Sequence, residues 1–350
     1  METVAHSIAR QSNIEAFRIV CMIFIIAHHF VVHTGLVGEP MLSDPRNASS
    51  LFLSVFGMWG KTGINCFLMI TGYFMCKKDI SINKWYRLYL QILFYNFIIS
   101  TLFIAGGGGK MSFLQIVTIV FPFVDISRHF VNCYLVFYLL IPFINILIRN
   151  LSIREYQLLI LLMVIIYSLI GMVPFFVVQF SYVTWFFIVY LIAAYLRLYP
   201  NKYTCNHTFW KRALLGSALL SLVSVLFIQL FVGRGEWIFV SDSNAIFALL
   251  VSVSAFMWVK DIYIPYNKAV NVISTTVFGV LLIHDNSNFM RYWLWKSVVG
   301  GTSLFDLSVF KLILFSISTV CVVFFVCSLI DLLRQRVVEG PLFEIINKKK

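Results

Sequence analysis

The chain has 350 residues, of which 60% are hydrophobic and only 12% charged, and its mean hydropathy is +0.89. A soluble domain is about 25% charged, and a larger core does not remove charged surface, so a soluble globular protein is excluded. The composition instead indicates an all-α, polytopic membrane protein of about ten transmembrane helices. The net charge of +12 does not mark a nucleic-acid partner, because the basic residues sit at the ends of apolar segments, where membrane topology puts them.

Residues 1–13 are polar, and the first span covers about 14–33. Its histidines interrupt the apolar run and no small-residue cleavage pattern follows, so it reads as a span and not as a cleaved signal. A polar loop over 34–50 leads to a second span, about 51–75, which carries Lys61 and Asn65. The basic stretch KKDISINKWYR precedes a third span, about 86–105, ended by glycines 106–109. Residues 111–123 are apolar but short and read as interfacial or re-entrant. Further spans are expected at about 129–148, with a kink at Pro142, and at about 157–173, stopped by Pro174. The remaining spans fall at about 180–198, 213–232, 244–259, 270–286 and 310–332. A basic tail, 334–350, follows, and the whole of 1–350 reads as one integral-membrane domain. With the N-terminus inside, most Lys and Arg residues fall on the inner side, so both termini are expected in the cytoplasm. The Trp and Tyr residues of RYWLWK suit an outer interfacial belt. The seven cysteines form no CxxC pair. Cys21, Cys66, Cys133, Cys321 and Cys327 fall in apolar stretches and read as small buried hydrophobes.

Ionisable groups at membrane depth are costly and mark functional sites by default. The first span, FRIVCMIFIIAHHFVVH, carries Arg18, His28, His29 and His33. Arg18 and His29 are eleven residues apart, which is three turns plus about 20°, so they share a face and are separated by about 16 Å along the axis. Glu15 and His33 lie near that face; His28 points about 100° away. A histidine there suits a general base or a nucleophile. His28 and His33, each alone, are better explained as hydrogen-bonding a neighbouring helix. His29 and His33 form an i, i+4 pair, but no HExxH pattern or nearby Cys or Asp accompanies them, so no metal is expected.

Lys84 and Arg87 share a face on the first turn of the third span and suit phosphate groups, although positive-inside topology explains them equally well. His284, Asp285 and Asn286 close an apolar run, where they could contact a sugar or simply cap the helix. His129 and Asn132 open the fourth span, and Asp125 and Arg128 have the spacing of a pair. The glycines at 106–109 lack the GK[ST] of a phosphate loop.

These features, in this order, resemble the membrane-bound acyltransferase-3 family, whose members O-acylate bacterial surface polysaccharides and related glycans. Arg18-X10-His29 fits the family's basic residue and histidine of the first span. GINCFLMITGYFM is similar to its second-span signature, with Thr71 where serine is usual. Lys84 and Arg87 match its basic pair. FVNCYLVFYLLIPFIN is similar to its Tyr-rich span ending in Pro-x-x-Asn, and FGVLLIHDN to a late Tyr-Leu-x-His motif, with Leu281 in place of the tyrosine. The resemblance implies an O-acyltransferase of the bacterial cytoplasmic membrane. It would use cytoplasmic acyl-CoA, most often acetyl-CoA, as co-substrate with no bound cofactor. The acceptor would be the hydroxyl of a surface polysaccharide or lipid-linked glycan, alongside polysaccharide biosynthesis machinery.

In that picture Lys84 and Arg87 hold the CoA phosphates, Arg18 neutralises the entering arm, and His29 meets the thioester as base or acyl carrier. His284, Asp285 and Asn132 would contact the acceptor. A succinyl donor would need a further cation, for which Lys61 or Arg128 is available. Intramembrane charge and Pro-broken spans are also features of secondary transporters and exporters, although no internal repeat is visible. A pH-sensing role for the histidines is a third reading.

Overall fold

The computed structural model describes residues 11–107, 112–124, 129–173, 175, 176, 178 and 181–340. Regular structure among them is entirely helical. The expected positions of Arg10, Asp125, Arg128, Pro174 and the tail beyond residue 340 lie outside the described residues.

The first half of the chain supplies α1 (Ser12–His33), α2 (Ala48–Gly57), α3 (Gly60–Met75), α4 (Ile82–Ala105), the short α5 (Phe113–Val120), α6 (Phe130–Asn150) and α7 (Ile153–Val164). The second half supplies α8 (Tyr182–Leu198), α9 (His207–Phe231), α10 (Ile246–Val259), α11 (Lys268–Ser274), α12 (Val277–His284), α13 (Asn288–Arg291) and α14 (Val309–Arg334). Local sequence sets several starts. Ser112 with Gln115 and Ser152 with Glu155 form capping boxes at α5 and α7. Pro142 lies inside α6 without ending it.

Each of the ten expected apolar segments is helical, and by length and composition seven or eight of them qualify as spans. Among the described residues seven helices are long and apolar enough to cross a membrane, or eight if the bent pair Lys268–His284 and Asn288–Asp306 is one span. The other two, α8 and α10, have 17 and 14 residues. They rise about 26 and 21 Å against a hydrocarbon core of about 30 Å. These two short helices are also rich in buried residues, from Trp185 to Ala194 in α8 and from Ala248 to Met257 in α10. The long helices α4, α9 and α14 instead expose large apolar side chains, among them Phe97, Leu102, Leu215, Phe227 and Phe325, as a lipid-facing surface requires. α5 has eight residues and buries none of them, which agrees with a segment too short to span.

Between helices, small residues and buried polar side chains set the packing. A methyl group on Gly63 would stand 2.7 Å from the Cys21 carbonyl oxygen, and one on Gly72 would stand 2.8 Å from Ala193 Cβ. α3 therefore lies directly on α1 and on α8, the close approach that small residues permit where no hydrophobic effect drives association. Asn65 accepts from Trp185 Nε1 at 2.9 Å and donates to the Ser243 carbonyl at 2.7 Å. Asn145 accepts from Tyr190 Oη at 2.7 Å and donates to the Met75 carbonyl at 3.1 Å. Asn13 donates to the carbonyls of Val259 and Lys260. Such bonds hold helices in fixed register inside lipid.

Two expectations about surfaces change. Cys321 is exposed on α14, whereas Cys21, Cys66, Cys133 and Cys327 are buried. In RYWLWK, Tyr292 and Trp293 are exposed, but Trp295 is fully buried, edge-on to Phe30 and His284. The chain turns by 91° between Lys268–His284 and Asn288–Asp306, which carries Trp295 back into the bundle and leaves the expected straight span at 270–286 broken after His284.

Candidate active site

The break after α12 determines the site. α12 ends at His284, and Ser287 caps α13 by accepting from Met290 N at 3.2 Å. Asn286 donates both to the Leu282 carbonyl and to Asn96 Oδ1, each at 3.1 Å, which ties the break to α4. His284 and Asp285 consequently face α1. Asp285 is at the same time the C-cap residue of α12, and Asn286 caps the Leu282 carbonyl, as the capping reading expects.

His284 is fully buried and its Nδ1 lies 2.6 Å from the Val280 carbonyl oxygen. A carbonyl only accepts, so Nδ1 of His284 carries the proton and its Nε2 is the acceptor. That Nε2 stands 3.0 Å from Nδ1 of His29. His29 therefore donates from Nδ1, and in the neutral imidazole the lone pair is on Nε2. His29 Nε2 makes no hydrogen bond among the described residues. Two successive acceptors thus select one tautomer of His29 and leave its basic nitrogen available.

Asp285 stands beside this pair. Its Oδ1 is 3.8 Å from His29 Nδ1, 3.4 Å from His33 Nε2 and 2.5 Å from Arg291 Nε. The ligand atoms of His29, His33 and Asp285 lie within 4.8 Å of one another, the metal-ligand spacing among the described residues. The fold thus brings an Asp beside the His29–His33 pair, where the sequence showed none nearby; Oδ1 of Asp285 also faces the Arg291 guanidinium.

His28 has a structural part. Its Nδ1 donates to the Gly57 carbonyl at 2.8 Å, and its ring packs on Trp237 and against Gly60. This pins the joint between α2 and α3 to α1.

His29 lines a cavity of about 980 Å³ that runs along α1. Arg18, His33, Lys61, Asn132, Tyr182, Asp285 and Arg291 also line it. Arg18 and His29 thus share one cavity wall, as their spacing on a helix requires. Arg18 Nε lies 3.8 Å from Glu15 Oε2, and Ser274 Oγ donates to the same carboxylate at 2.6 Å.

The expected substrate contacts separate. Asn132 and Asp285 face the cavity, whereas His284 lies behind His29, outside the lining. Lys84 and Arg87 are exposed on α4 and do not line this cavity. Arg87 instead lines a smaller neighbouring cavity of about 420 Å³, together with Gln91, Arg334 and Glu339.

One cluster was missed in the sequence. Asp331 is fully buried in α14 and accepts from Tyr95 Oη at 2.6 Å, Arg334 Nε at 2.8 Å and Gln335 Nε2 at 2.8 Å. Gly279 leaves room for it, since a Cβ there would overlap the Asp331 carboxyl group. Arg334 and Gln335 line the same cavity as Arg18. A lone Asp in the apolar run FFVCSLIDLLR was the available signal, because ionisable groups inside a span are rarely incidental.

A histidine on a cavity wall whose Nε2 has no partner among the described residues can accept a proton from a group bound there. No curated protein and no solved structure matches the chain. The family model described as an acyltransferase domain matches residues 11–332, nearly the whole chain, and the protein therefore belongs to the membrane acyltransferase-3 family.

Proposed function

We propose that this membrane acyltransferase transfers an acyl group, acetyl in the simplest case, from cytoplasmic acyl-CoA to a hydroxyl of a surface polysaccharide or lipid-linked glycan. His29 is the general base. The observation that carries this reading is the chain Val280 O, His284, His29, which leaves Nε2 of His29 as a free base in the cavity.

Nε2 of His29 takes the proton of the acceptor hydroxyl while its oxygen attacks the thioester carbonyl. The carbon–sulfur bond breaks, and the departing CoA thiolate receives the proton from Nε2. Throughout, Nδ1–H remains bonded to His284, and the Asp285 carboxylate at 3.8 Å faces the transient imidazolium. The roles resemble those of a hydrolase triad, with His284 orienting the base and Asp285 offsetting its charge.

The donor enters from the Arg18 end, which the charge distribution of the sequence puts in the cytoplasm. Arg18, Arg334 and Gln335 form the polar lining at that end. The roughly 16 Å from Arg18 to His29 along α1 suits an extended pantetheine arm. Asn132 and Asp285 are left to position the acceptor. The direct test is NMR and mass analysis of surface glycans from cells with and without the protein. Loss of one ester resonance supports the reading and names the acyl group and its position; identical glycans contradict it.

A further inference from the structure

Among the described residues four Lys and Arg side chains line the large cavity, and three of them face carboxylates. Arg18 lies 3.8 Å from Glu15, Arg291 lies 2.5 Å from Asp285, and Arg334 lies 2.8 and 2.9 Å from Asp331 and Glu339. The fourth is Lys61. Among the described residues no carboxylate lies within 4.0 Å of it, and its partner is the neutral Tyr182 Oη at 2.8 Å. A half-buried ammonium that lines a cavity without a counter-ion among the described residues points to a ligand that supplies one.

The hydrogen-bond directions define the ligand further. An ammonium only donates, so the Tyr182 oxygen accepts from Lys61 and its own proton is directed elsewhere. Among the described residues no acceptor receives that proton. Lys61 retains two N–H donors. Both side chains line the cavity, and their remaining donors have no acceptor among the described residues. One positive charge beside one hydroxyl matches a carboxylate, which accepts through two oxygens. A phosphomonoester, at about −1.5 to −2 charges, would need a second cation. Lys61 follows Gly60, which packs against the His28 ring, so its backbone lies at the depth of the residue beside His29.

We propose that Lys61 and Tyr182 form a carboxylate subsite of the acyl-transfer cavity. The proposal rests on the acyl-transfer reading and narrows its substrates: one of the two reacting molecules is an acid. The carboxylate belongs either to a dicarboxylic acyl group such as succinyl, or to an acidic acceptor sugar that receives acetyl.

The test uses the full chain in lipid vesicles and two matched pairs of probes. Acetyl-CoA and succinyl-CoA form the donor pair; methyl glucoside and methyl glucuronide form the acceptor pair. Binding is read as the thermal shift of the solubilised protein, and transfer is read as released CoA thiol. The wild type is expected to prefer the carboxylate member of one pair on the order of 100-fold, and the pair concerned identifies the source. Lys61→Gln should abolish that preference. Tyr182→Phe, which keeps the ring and the charge, should reduce it roughly tenfold, and it carries the test if Lys61→Gln does not accumulate. Equal binding of both members in both pairs by the wild type, or an undiminished preference in both variants, overturns the proposal. His29→Ala separates the two readings: it should lose transfer while keeping the binding preference. If it transfers normally, the role of His29 fails while the subsite stands.

Discussion

His29 gives its Nδ1 proton to Nε2 of His284 across 3.0 Å, and the two residues are 255 positions apart in the chain. Replacing His284 with Ala removes the acceptor and frees His29 to adopt the other tautomer. Loss of an orienting partner of this kind costs about 10- to 100-fold in activity, and a fall of that size in kcat is expected, with KM for the donor little changed. His284→Gln, which restores an acceptor oxygen, should recover part of the rate. Steady-state transfer at matched protein levels checks both.

Asp285 is expected to act through charge. Asp285→Asn keeps the shape but removes the negative charge facing the imidazolium, and it leaves Arg291 without its 2.5 Å partner. Activity should fall, and thermal stability should fall by about 1–3 kcal/mol because a partly buried guanidinium loses its counter-ion. Arg291→Gln should share the stability loss while keeping more of the activity. Thermal unfolding and transfer assays on the two variants separate these effects.

Helix packing makes a contrast that requires no activity assay. Gly72 abuts Tyr190 and Ala193, whereas Gly216 on α9 has open space where a Cβ would go. Gly72→Val should destabilise the domain by about 1–3 kcal/mol through overpacking. Gly216→Ala should be neutral or stabilise by up to about 1 kcal/mol through helix propensity. Melting temperatures in one detergent decide between them.

Membrane orientation is testable at Cys205, which is exposed in the connection between α8 and α9. With the N-terminus cytoplasmic and α8 crossing the membrane, as in the ten-span reading, this connection lies inside. A membrane-impermeant maleimide should label Cys205 in intact cells only after permeabilisation, and should leave the buried Cys66 unlabelled in either case. Labelling of Cys205 before permeabilisation reverses the assigned sides.

The sequence showed the helical segments and the first-span site well, because hydropathy and the 3.6-residue repeat are local properties. Arg18 and His29 share a cavity wall because eleven residues make just over three turns. The bend after His284 was not legible. FGVLLIHDN reads as one apolar run with a polar end, and the turn depends on Asn286 reaching Asn96, 190 positions away. Which cavity Lys84 or Arg87 would line was likewise not legible, because it depends on how α4 is rotated; Arg87 lines the smaller cavity, which shares Gln91 and Arg334 with the large one. Asp331 was legible in principle, as a single carboxyl group in a long apolar helix, but its partner Tyr95 comes from α4 and no spacing rule connects them.

The central claim, that His29 accepts the hydroxyl proton, is tested most directly with His29→Ala and His29→Gln. Transfer of labelled acetyl from acetyl-CoA would be measured in vesicles containing equal amounts of folded protein. Both variants should lose transfer by at least about 100-fold, as expected for removal of a general base, while inserting and accumulating like the wild type. Transfer at the wild-type rate by either variant would contradict the account.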